Sequence, residues 1–217
     1  ISDGKFDITV APLSDLWEFK SEDATVPAQE DIEAALEKVG ADQISLSGNT
    51  LTFSSDDVMI DLGALVKGFA ADHIKSYLTE HDVTSGLLNL GGNVLAIGNR
   101  PDGAQWSIGI QKPFDDKEPV ADVVKVTDKT VVSSGIYERY FKQDGVIYHH
   151  ILDPDTGYPI QNDLWGVSII CDSSLTGDAL STTCMTLGYE KAAKLINSLS
   201  DTEAEFILTG CELKKTF

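Results

Sequence analysis

The 217-residue chain lacks any long hydrophobic run, carries little positive charge and contains only three cysteines. No apolar stretch approaches the roughly 18 to 20 residues of a membrane-spanning helix, and the first residues lack the pattern of a signal peptide. Its 16 Lys and Arg against 35 Asp and Glu give a formal net charge of -19. That charge argues against a nucleic-acid partner, because polyphosphates bind basic surfaces. Cys171, Cys184 and Cys211 have no C-x-x-C spacing, so we expect buried thiols, neither a zinc site nor a disulfide framework.

Three familiar motifs are also missing from the sequence. There is no G-x-x-x-x-G-K-[ST], no G-x-G-x-x-G after a strand and no G-x-S-x-G. Their absence weakens the P-loop, dinucleotide-fold and hydrolase alternatives. The sequence is 42% hydrophobic and 24% charged, as expected of a globular protein that is long enough to bury a substantial core.

Short strands outnumber helices in the predicted secondary structure, and many strands follow one another as hairpins. Helical segments are predicted over residues 11–19 in part, 29–39, 61–78, 175–187 and 189–199. Strands are predicted over residues 43–46, 50–53, 58–60, 85–90, 93–97, 105–111, 121–126, 130–134, 137–141, 146–150, 166–171 and 205–209, with a polar loop over residues 113–119. This order favours an α+β fold, with mixed, largely antiparallel sheets and packed helices, over a doubly wound sheet.

A twelve-residue stretch, Asp61-Leu-Gly-Ala-Leu-Val-Lys67-Gly-Phe-Ala-Ala-Asp72, lies at a predicted corner between a strand and a helix. Free N–H groups and the positive end of the helix dipole favour an anion at such a corner. An ordinary capped helix, with Asp61 as the N-cap and Lys67 in solvent, explains the stretch equally well. Both interpretations therefore stay open on these residues alone.

A second segment, Thr176-Gly-Asp178-Ala-Leu-Ser181-Thr182-Thr183, combines a carboxylate with hydroxyls. On a helix, Ser181 and Thr182 lie three and four residues after Asp178 and over the same face. Such hard oxygen donors suit Mg²⁺ or Ca²⁺. The alternative is a helix cap, in which Asp178 accepts from the backbone amides of Ser181 and Thr182.

Two adjacent histidines, His149 and His150, precede the turn sequence Asp153-Pro-Asp-Thr-Gly157. Neighbouring residues of a strand point to opposite faces, so at most one of the two should face a pocket. A His there can take a proton from a hydroxyl nucleophile. Gly157 is expected to supply the positive φ of the turn.

Aromatic residues flank Arg139 in the segment Ser133-Ser-Gly-Ile-Tyr137-Glu-Arg139-Tyr140-Phe141. Aromatics beside an Arg can stack on a planar ring. In a strand they more often pack in the core or along an edge, and this is the interpretation that the pattern favours.

Taken in order, five segments of the chain resemble the ApbE family. They are Gly4-Lys-Phe-Asp7, Asp61 to Asp72, Ser133-Ser-Gly-Ile-Tyr-Glu-Arg-Tyr140, His149-His-Ile-Leu-Asp-Pro-Asp-Thr-Gly-Tyr-Pro159 and Asp178-Ala-Leu-Ser-Thr182. Each segment alone is a weak signal, but the ordered set is specific and covers nearly the whole chain. The resemblance implies a single ApbE-like flavin transferase domain over residues 1–217. Its expected activity is that of an FAD:protein FMN transferase, a bacterial Mg²⁺-dependent enzyme that cleaves FAD, attaches FMN by a phosphoester bond to a Thr of a partner flavoprotein and releases AMP.

The resemblance also implies the residues of the site. The Mg²⁺ ligands would be the backbone carbonyl of Ala64 and the side chains of Asp178 and Thr182, with Ser181 as a further oxygen, so we expect the two segments to meet around one cation. His150 would be the base for the acceptor hydroxyl. Contacts with FAD are implied for six residues: Lys5, which replaces a commoner small residue, Phe6, Asp7, Asp61, Lys67 and Leu152.

Family members carry a further stretch before the Gly4 segment, so the resemblance implies an N-terminally truncated chain, and the sequence also has no initiator Met. That stretch usually holds a lipid or helix anchor. We therefore expect a membrane-anchored, lipoprotein-like protein outside the cytoplasm, at the bacterial cell envelope. The expected acceptor is the flavoprotein subunit of a redox complex.

Two other functions stay open on the sequence. One is Mg²⁺-dependent hydrolysis of FAD to FMN and AMP, with water in place of the Thr hydroxyl. The other is a non-catalytic module that binds or scavenges flavin. In each case a diphosphate near many carboxylates needs local positive charge, which Mg²⁺ and Lys67 would provide.

Overall fold

The computed structural model describes residues 1–115, 117 and 119–217, and the chain falls into two compact units. The first unit comprises Ile1–Leu62 and Ile136–Asn162, and the second comprises Gly63–Gly135 and Asp163–Phe217. Among the described residues, no helix is both long enough and apolar enough to cross a membrane. The single domain implied by the resemblance stays a prediction.

Helices and strands alternate irregularly along the chain. In order they are α1 (Ala11–Trp17), α2 (Gln29–Leu36), β1 (Ile44–Ser47), β2 (Thr50–Phe53), α3 (Val66–Glu80), β3 (Gly86–Asn89), β4 (Asn93–Ile97), β5 (Trp106–Gln111), β6 (Val120–Val126), β7 (Thr130–Gly135), β8 (Tyr140–Gln143), β9 (Val146–His149), β10 (Leu164–Cys171), α4 (Ser174–Leu187), α5 (Tyr189–Asn197), β11 (Glu203–Leu208) and β12 (Leu213–Lys215).

The first unit contains two helices, the antiparallel hairpins β1–β2 and β8–β9, and an aromatic core. Leu13 and Trp17 of α1 and Ile32 of α2 are fully buried. The ring of Trp17 stacks on Phe19 and on Tyr148, with ring centroids 5.6 Å apart in both pairs. The helices are short, so this stacking and the burial of apolar area hold the unit together rather than helix propensity.

The turn over residues 153–157 closes against the same core. The indole Nε1 of Trp17 donates to the carbonyl oxygen of Gly157 at 2.8 Å. Gly157 has a φ of 73°, and a Cβ at this position would lie 2.6 Å from Cγ2 of Ile32. Both the conformation and the space require glycine, so the predicted role of Gly157 is confirmed.

The second unit is built on a six-stranded sheet in the order β12-β11-β10-β7-β4-β3, in which every neighbouring pair is antiparallel. Successive side chains of β4 alternate between its faces. Leu95 and Ile97 pack with Ala71 of α3, whereas Ala96 packs with Ile108 of the separate β5–β6 hairpin. Helices therefore cover one face of this sheet and a hairpin covers the other.

The predicted α+β class with antiparallel sheets is confirmed, and most elements lie within a few residues of their predicted bounds. The thiols of Cys171 and Cys184 are free and buried as expected, but the free Cys211 is only half-buried. Strand β12 was not predicted, because its three residues give no periodic pattern. The loop predicted over residues 113–119 includes Asp116 and Glu118, which lie outside the described residues.

The predicted bounds are wrong around residue 61. Residues 58–60 form no strand, and α3 begins at Val66 rather than at Asp61. The backbone N–H of Asp61 donates to the carbonyl oxygen of Ile8 at 2.7 Å, which ties this irregular part of the chain to the N-terminal segment. A turn over residues 63–65 then leads into the helix, and no side chain caps it. Asp61 is therefore not the helix N-cap.

Candidate functional site

The first turn of α3 and the second turn of α4 meet within the second unit. Gly68 is the third residue of α3, and its backbone N–H donates to Oδ2 of Asp178 at 2.5 Å. On the other side, Nδ2 of Asn93 donates to Oδ1 of Asp178 at 3.0 Å. The expected meeting of the two segments is thus observed at Gly68, and each oxygen of the Asp178 carboxylate has one fixed donor.

The alternative in which Asp178 caps its own helix is wrong. Helix α4 begins at Ser174, and its N-cap is Ser173, whose Oγ accepts from the backbone N–H of Thr176 at 3.2 Å. Asp178 comes a full turn later and points at the neighbouring elements. Its carboxylate is therefore free of the local capping role that acidic residues commonly have near helix starts.

The surroundings of Asp178 leave its negative charge poorly solvated. The residue is only 4% exposed. Burial raises the pKa of the Asp178 carboxyl above its ordinary value, while the donors Asn93 and Gly68 and the charge of Lys67 act in the opposite direction. A buried carboxylate in this situation is stabilised by a nearby cation.

The hydroxyls after Asp178 differ in their availability. Ser181 Oγ donates to the carbonyl oxygen of Asp178 at 3.0 Å and lies 2.8 Å from Oγ of Ser134. Ser181 is therefore occupied as a structural hydroxyl. In the described part of the chain, no hydrogen bond engages the hydroxyl of the half-buried Thr182, which follows Asp178 by four residues on the same face of α4.

Ala64 and Lys67 lie at the start of α3, Ala64 in the turn before the helix and Lys67 in its first turn. Ala64 is half-buried in the turn before the helix. Nζ of Lys67 donates to the carbonyl oxygen of Gly91 at 2.7 Å. Gly91 and Gly92 have φ values of 65° and 81° and form the turn between β3 and β4. The amine of Lys67 is thus held beside a backbone turn of the second unit.

These donors fit a hard divalent cation. Each oxygen of Asp178 accepts one hydrogen bond and keeps acceptor capacity for a metal, and Thr182 and the Ala64 carbonyl would add neutral oxygens. Among the described residues, no group of three or more His, Cys, Asp or Glu side chains could hold a metal ion. A single carboxylate with neutral oxygens is a donor set that suits Mg²⁺, which keeps waters and takes further ligands from phosphates.

A pocket of about 530 Å³ opens in the first unit. Two predicted site residues, Asp61 and His150, line it together. The other residues around it are Ser14, Asp15, Glu18, Phe19, Lys20, Ser21 and Arg139. The lining thus combines a candidate base, one aromatic ring and charges of both signs, as expected of a site for a polar ligand with an aromatic part.

The two adjacent histidines have different surroundings, as the strand geometry predicted. His149 is 3% exposed, and its Nε2 donates to the carbonyl oxygen of Ile160 at 3.0 Å. Burial lowers the pKa of His149 to about 4, so its ring is neutral near pH 7. His150 is half-buried and lines the pocket. Of the two histidines, His150 is the one that lines the pocket, and its role as a base stays a prediction.

The predicted flavin contact Lys5 makes two ion pairs in the structure. Its Nζ lies 2.6 Å from Oδ2 of Asp155 and 2.9 Å from Oδ1 of Asp153. These hydrogen bonds, that of Asp155 first, raise the pKa of Lys5. Lys5 thus ties the N-terminal segment to the turn that follows His150.

The remaining predicted flavin contacts of the first unit differ in their exposure and in their bonding partners. Oδ1 of Asp7 accepts from the backbone N–H and the hydroxyl of Thr9, at 2.8 and 2.6 Å. Phe6 is half-buried and Asp61 is exposed. Leu152 is 6% exposed, packs in the core of the first unit and forms an isolated bridge with Pro159. Within this unit, only Asp61 and His150 of the predicted residues line the pocket.

Three residues around these sites were not among the predicted site residues. Asn93 follows Gly91 and Gly92, and nothing in the sequence marked its amide as a buried hydrogen-bond donor. Asp72 ends the 61–72 stretch but had no assigned partner. Arg139 lines the pocket, although its pattern favoured strand packing. For Asp72 the sequence offered one signal of a role at this site. It follows Gly68 by four residues, so the two residues lie on the same face of the helix.

Comparison with known proteins agrees with the resemblance. The model of the ApbE family matches residues 1–206. An FAD:protein FMN transferase of Klebsiella pneumoniae (strain 342) is 37% identical over 209 residues, which are 95% of this chain and 64% of that protein. One of Treponema pallidum (strain Nichols) is 38% identical over 221 residues, 95% of this chain and 61% of that protein. The chain thus spans less than two thirds of the length of these curated relatives.

Solved structures give the same result for the fold. The ApbE protein from Thermotoga maritima has a TM-score of 0.87 and 36% identity, and the match covers 99% of this chain and 70% of that one. The flavin transferase ApbE from Vibrio cholerae has a TM-score of 0.86 and 31% identity, with 99% and 69% coverage.

Proposed function

The chain belongs to the ApbE family, and on that premise we propose that it transfers FMN from FAD to a Thr hydroxyl of a partner flavoprotein. The Thr oxygen bonds to the phosphorus on the FMN side of the diphosphate. The bond from that phosphorus to the bridging oxygen breaks, and AMP leaves with that oxygen. Curated relatives named FAD:protein FMN transferase support the proposal.

One observation carries the proposal: the hydrogen bond from the Gly68 N–H to Asp178. It joins the corner of the 61–72 stretch to the buried carboxylate of α4. This is the local arrangement that a diphosphate-binding Mg²⁺ site needs, with hard oxygens beside a helix start and a lysine close by. In that site we assign Asp178, Thr182 and the carbonyl of Ala64 to the metal, and Lys67 to the diphosphate.

Bound there, Mg²⁺ would neutralise diphosphate charge and polarise the phosphorus under attack. The chain's own residues have separate tasks. His150, which lines the pocket, accepts the proton of the Thr hydroxyl as the oxygen bonds to phosphorus. His149 is neutral and donates to a backbone carbonyl, so it orients the strand end but takes no proton.

Local cations matter more in this chain than in a neutral protein. With a net charge of -19 its average field repels a diphosphate. Lys67 and the metal must therefore offset that field at the site. We expect FAD affinity to fall sharply when divalent metal is removed by a chelator, and an affinity unchanged by the chelator would contradict this role.

One reaction mixture tests the proposal against its competitors. The protein is incubated with FAD, Mg²⁺ and an acceptor protein that carries a target Thr. The proposed function predicts a covalently yellow acceptor and one AMP for each FMN attached. Free FMN without labelled acceptor would instead indicate hydrolysis of FAD, and unchanged FAD would indicate a binding module.

The acceptor and the location of the protein are further parts of the proposal. We propose that the acceptor is a flavoprotein subunit of a redox complex and that transfer takes place outside the cytoplasm, at the cell envelope. The family membership supports both. Fractionation of cells with an antibody against this chain, followed by identification of covalently flavinylated proteins in the same fraction, tests them together.

A further inference from the structure

Asp72 of α3 binds the beginning of α4 through both oxygens of its carboxylate. Oδ1 accepts from the backbone N–H of Ser174 at 2.8 Å. Oδ2 accepts from the backbone N–H of Leu175 at 3.0 Å and from the hydroxyl of Ser173 at 2.9 Å. The first backbone donors of a helix have no partner inside their own helix. Asp72 therefore supplies, from another helix, the acceptors that fix where α4 starts.

Helices α3 and α4 exchange such contacts in both directions. Asp178 of α4 accepts from the N–H of Gly68, four residues before Asp72 on α3. Each helix thus offers one carboxylate to backbone donors in the first turn of the other. The two helices also touch directly, since a Cβ on Gly68 would lie 2.3 Å from the carbonyl oxygen of Ser174. A shift of α4 along α3 would break both sets of hydrogen bonds.

Asn93 closes this arrangement into a ring. The hydroxyl of Ser174 donates to Oδ1 of Asn93 at 2.7 Å, and Nδ2 of Asn93 donates to Oδ1 of Asp178 at 3.0 Å. Ser174 and Asn93 are both fully buried. The two donors that orient Asp178 are therefore coupled to Asp72, one through Ser174 and Asn93 and the other along α3 itself.

We propose that Asp72 is a positioning residue for the Asp178 carboxylate, and through it for the divalent cation. The second part rests on the proposed function, whereas the first part concerns the protein without metal. A residue that merely stabilised α4 would change the stability of the protein and leave the donors of Asp178 in place. A positioning residue changes the geometry of Asp178 as well.

The chain offers a matched control for this inference. Asp172 also lies near the start of α4 and is exposed, with an ion pair from Lys129 at 3.1 Å. The variants Asp72→Ala and Asp172→Ala remove the same charge from the same region, but only the first removes acceptors of α4. Asp72→Asn keeps the volume and one acceptor oxygen, so it serves as the conservative variant and as the replacement if Asp72→Ala does not fold.

The first measurement is amide hydrogen exchange without metal. In Asp72→Ala we expect the Gly68 amide to lose protection by at least tenfold, because its acceptor Asp178 is displaced. Protection should be unchanged in Asp172→Ala and intermediate in Asp72→Asn. Unchanged protection of Gly68 in both Asp72 variants would overturn the proposal.

The second measurement is calorimetric titration with Mg²⁺ alone, followed by transfer assays at rising Mg²⁺. Loss of an outer residue that orients a ligand costs about 10- to 100-fold in metal affinity. We expect Asp72→Ala to weaken Mg²⁺ binding by that factor, to regain transfer at saturating Mg²⁺, and to differ from Asp172→Ala in both respects. Mg²⁺ affinity equal to that of the parent would also overturn the inference.

Failure of the proposed function gives a different pattern. If the parent protein binds no Mg²⁺, or if Asp178→Ala leaves binding intact, the metal assignment is wrong. The exchange of the Gly68 amide still decides whether Asp72 positions Asp178, because that measurement contains no metal and no flavin.

Discussion

The two units hold their candidate functional residues in opposite ways. In the second unit, Asp178 is buried and each of its oxygens accepts from a fixed donor. In the first unit, His150 lines a pocket of about 530 Å³ together with exposed charged side chains. One site is set before any ligand arrives, and the other keeps room for one.

The difference matches the demands of the proposed chemistry. A small cation needs oxygens at fixed distances, so its ligands benefit from rigid support. A proton acceptor that serves an incoming protein side chain needs access instead. The following predictions test whether this contrast between a fixed and an open site is real, and they run from the largest expected effect to the smallest.

Asp178→Ala should affect the fixed site most. The change removes the only carboxylate among the proposed metal ligands and leaves the N–H of Gly68 and the amide of Asn93 without their acceptor. We expect transfer to fall by more than about 100-fold, the upper range for merely orienting residues. Calorimetry with Mg²⁺ should show no binding, and Asp172→Ala serves as the control.

His150→Ala should affect the open site without affecting affinity. Loss of a general base typically lowers a rate by about 10² to 10⁴-fold. We expect the rate of FMN transfer to fall within that range while the dissociation constant of FAD stays within twofold. His81→Ala, which removes an exposed His on the surface of the second unit, is the control. Transfer retained in His150→Ala would remove the residue from the mechanism.

Gly157→Ala should destabilise the first unit strongly. An alanine must adopt a φ of 73°, at about 1 to 2 kcal/mol, and its Cβ would lie 2.6 Å from Ile32, which adds about 1 to 3 kcal/mol of overpacking. Gly145→Ala is the matched control, with a φ of 81° and no atom within 4 Å. Urea unfolding of both variants should separate the steric cost from the conformational one, and equal losses would contradict the close packing.

His149 in the first unit and Glu205 in the second should contribute to the pH dependence of the folding stability with opposite signs. Burial lowers the pKa of His149 in the first unit to about 4. Between pH 4 and 6.5 the ring of His149 therefore binds a proton in the unfolded chain but not in the folded one. The contribution of His149 to stability is lost as the pH falls through this range. In the second unit, burial first and then the nearby Asp122 raise the pKa of Glu205 to about 7, against the effect of Lys215. The protonated Glu205 is favoured in the folded state, so its contribution to stability is present below pH 4.5 and is lost as the pH rises through 7.

Unfolding free energies from pH 4 to 8 test these signs. We expect His149→Gln to reduce the loss of stability on the acid side and Glu205→Gln to reduce the loss on the neutral side, each by up to about 1.4 kcal/mol per pH unit. The slope of the unfolding free energy against pH should therefore change with opposite sign in the two variants. A change of the same sign in both would show that one of the two assignments is wrong.

Lys5→Gln should have the smallest effect of these variants, and the effect is on stability. Its ion pairs with Asp153 and Asp155 lie at the surface, where such pairs contribute about 0.2 to 1 kcal/mol each. We expect a small loss of stability that disappears in 1 M salt. Lys20→Gln, on the same unit, is the control. A loss of several kcal/mol would mean that Lys5 fixes the turn after His150 far more firmly than a surface pair does.

Local rules predicted the parts of the site that lie within one segment. The turn around Gly157, the opposite orientations of His149 and His150 and the shared face of Asp178 and Thr182 all follow from periodicity or turn chemistry. The predicted start of α3 at Asp61 was wrong, because the backbone N–H of Asp61 is bound to the distant residue Ile8 and the helix begins only at Val66. Local propensity contains no information about such a bond.

The partners of Asp178 could not be predicted for the same reason. Asn93 and Gly68 lie 85 and 110 residues away from it in the sequence. One sequence shows which side chains can donate, but only the packing of α3, α4 and β4 determines which of them do. The four-residue spacing places Asp72 on the same face of α3 as Gly68, but it does not show that Asp72 binds the start of α4.

The burial of Trp17 has a practical consequence for spectroscopy. It is the one tryptophan of the first unit, since Trp106 and Trp165 belong to the second. Its ring stacks on Phe19, a residue of the pocket wall, and its N–H is bonded to the turn after His150. With the other two indoles replaced by phenylalanine, we expect the fluorescence of this single emitter to respond to a ligand in the pocket through Phe19, without any added dye.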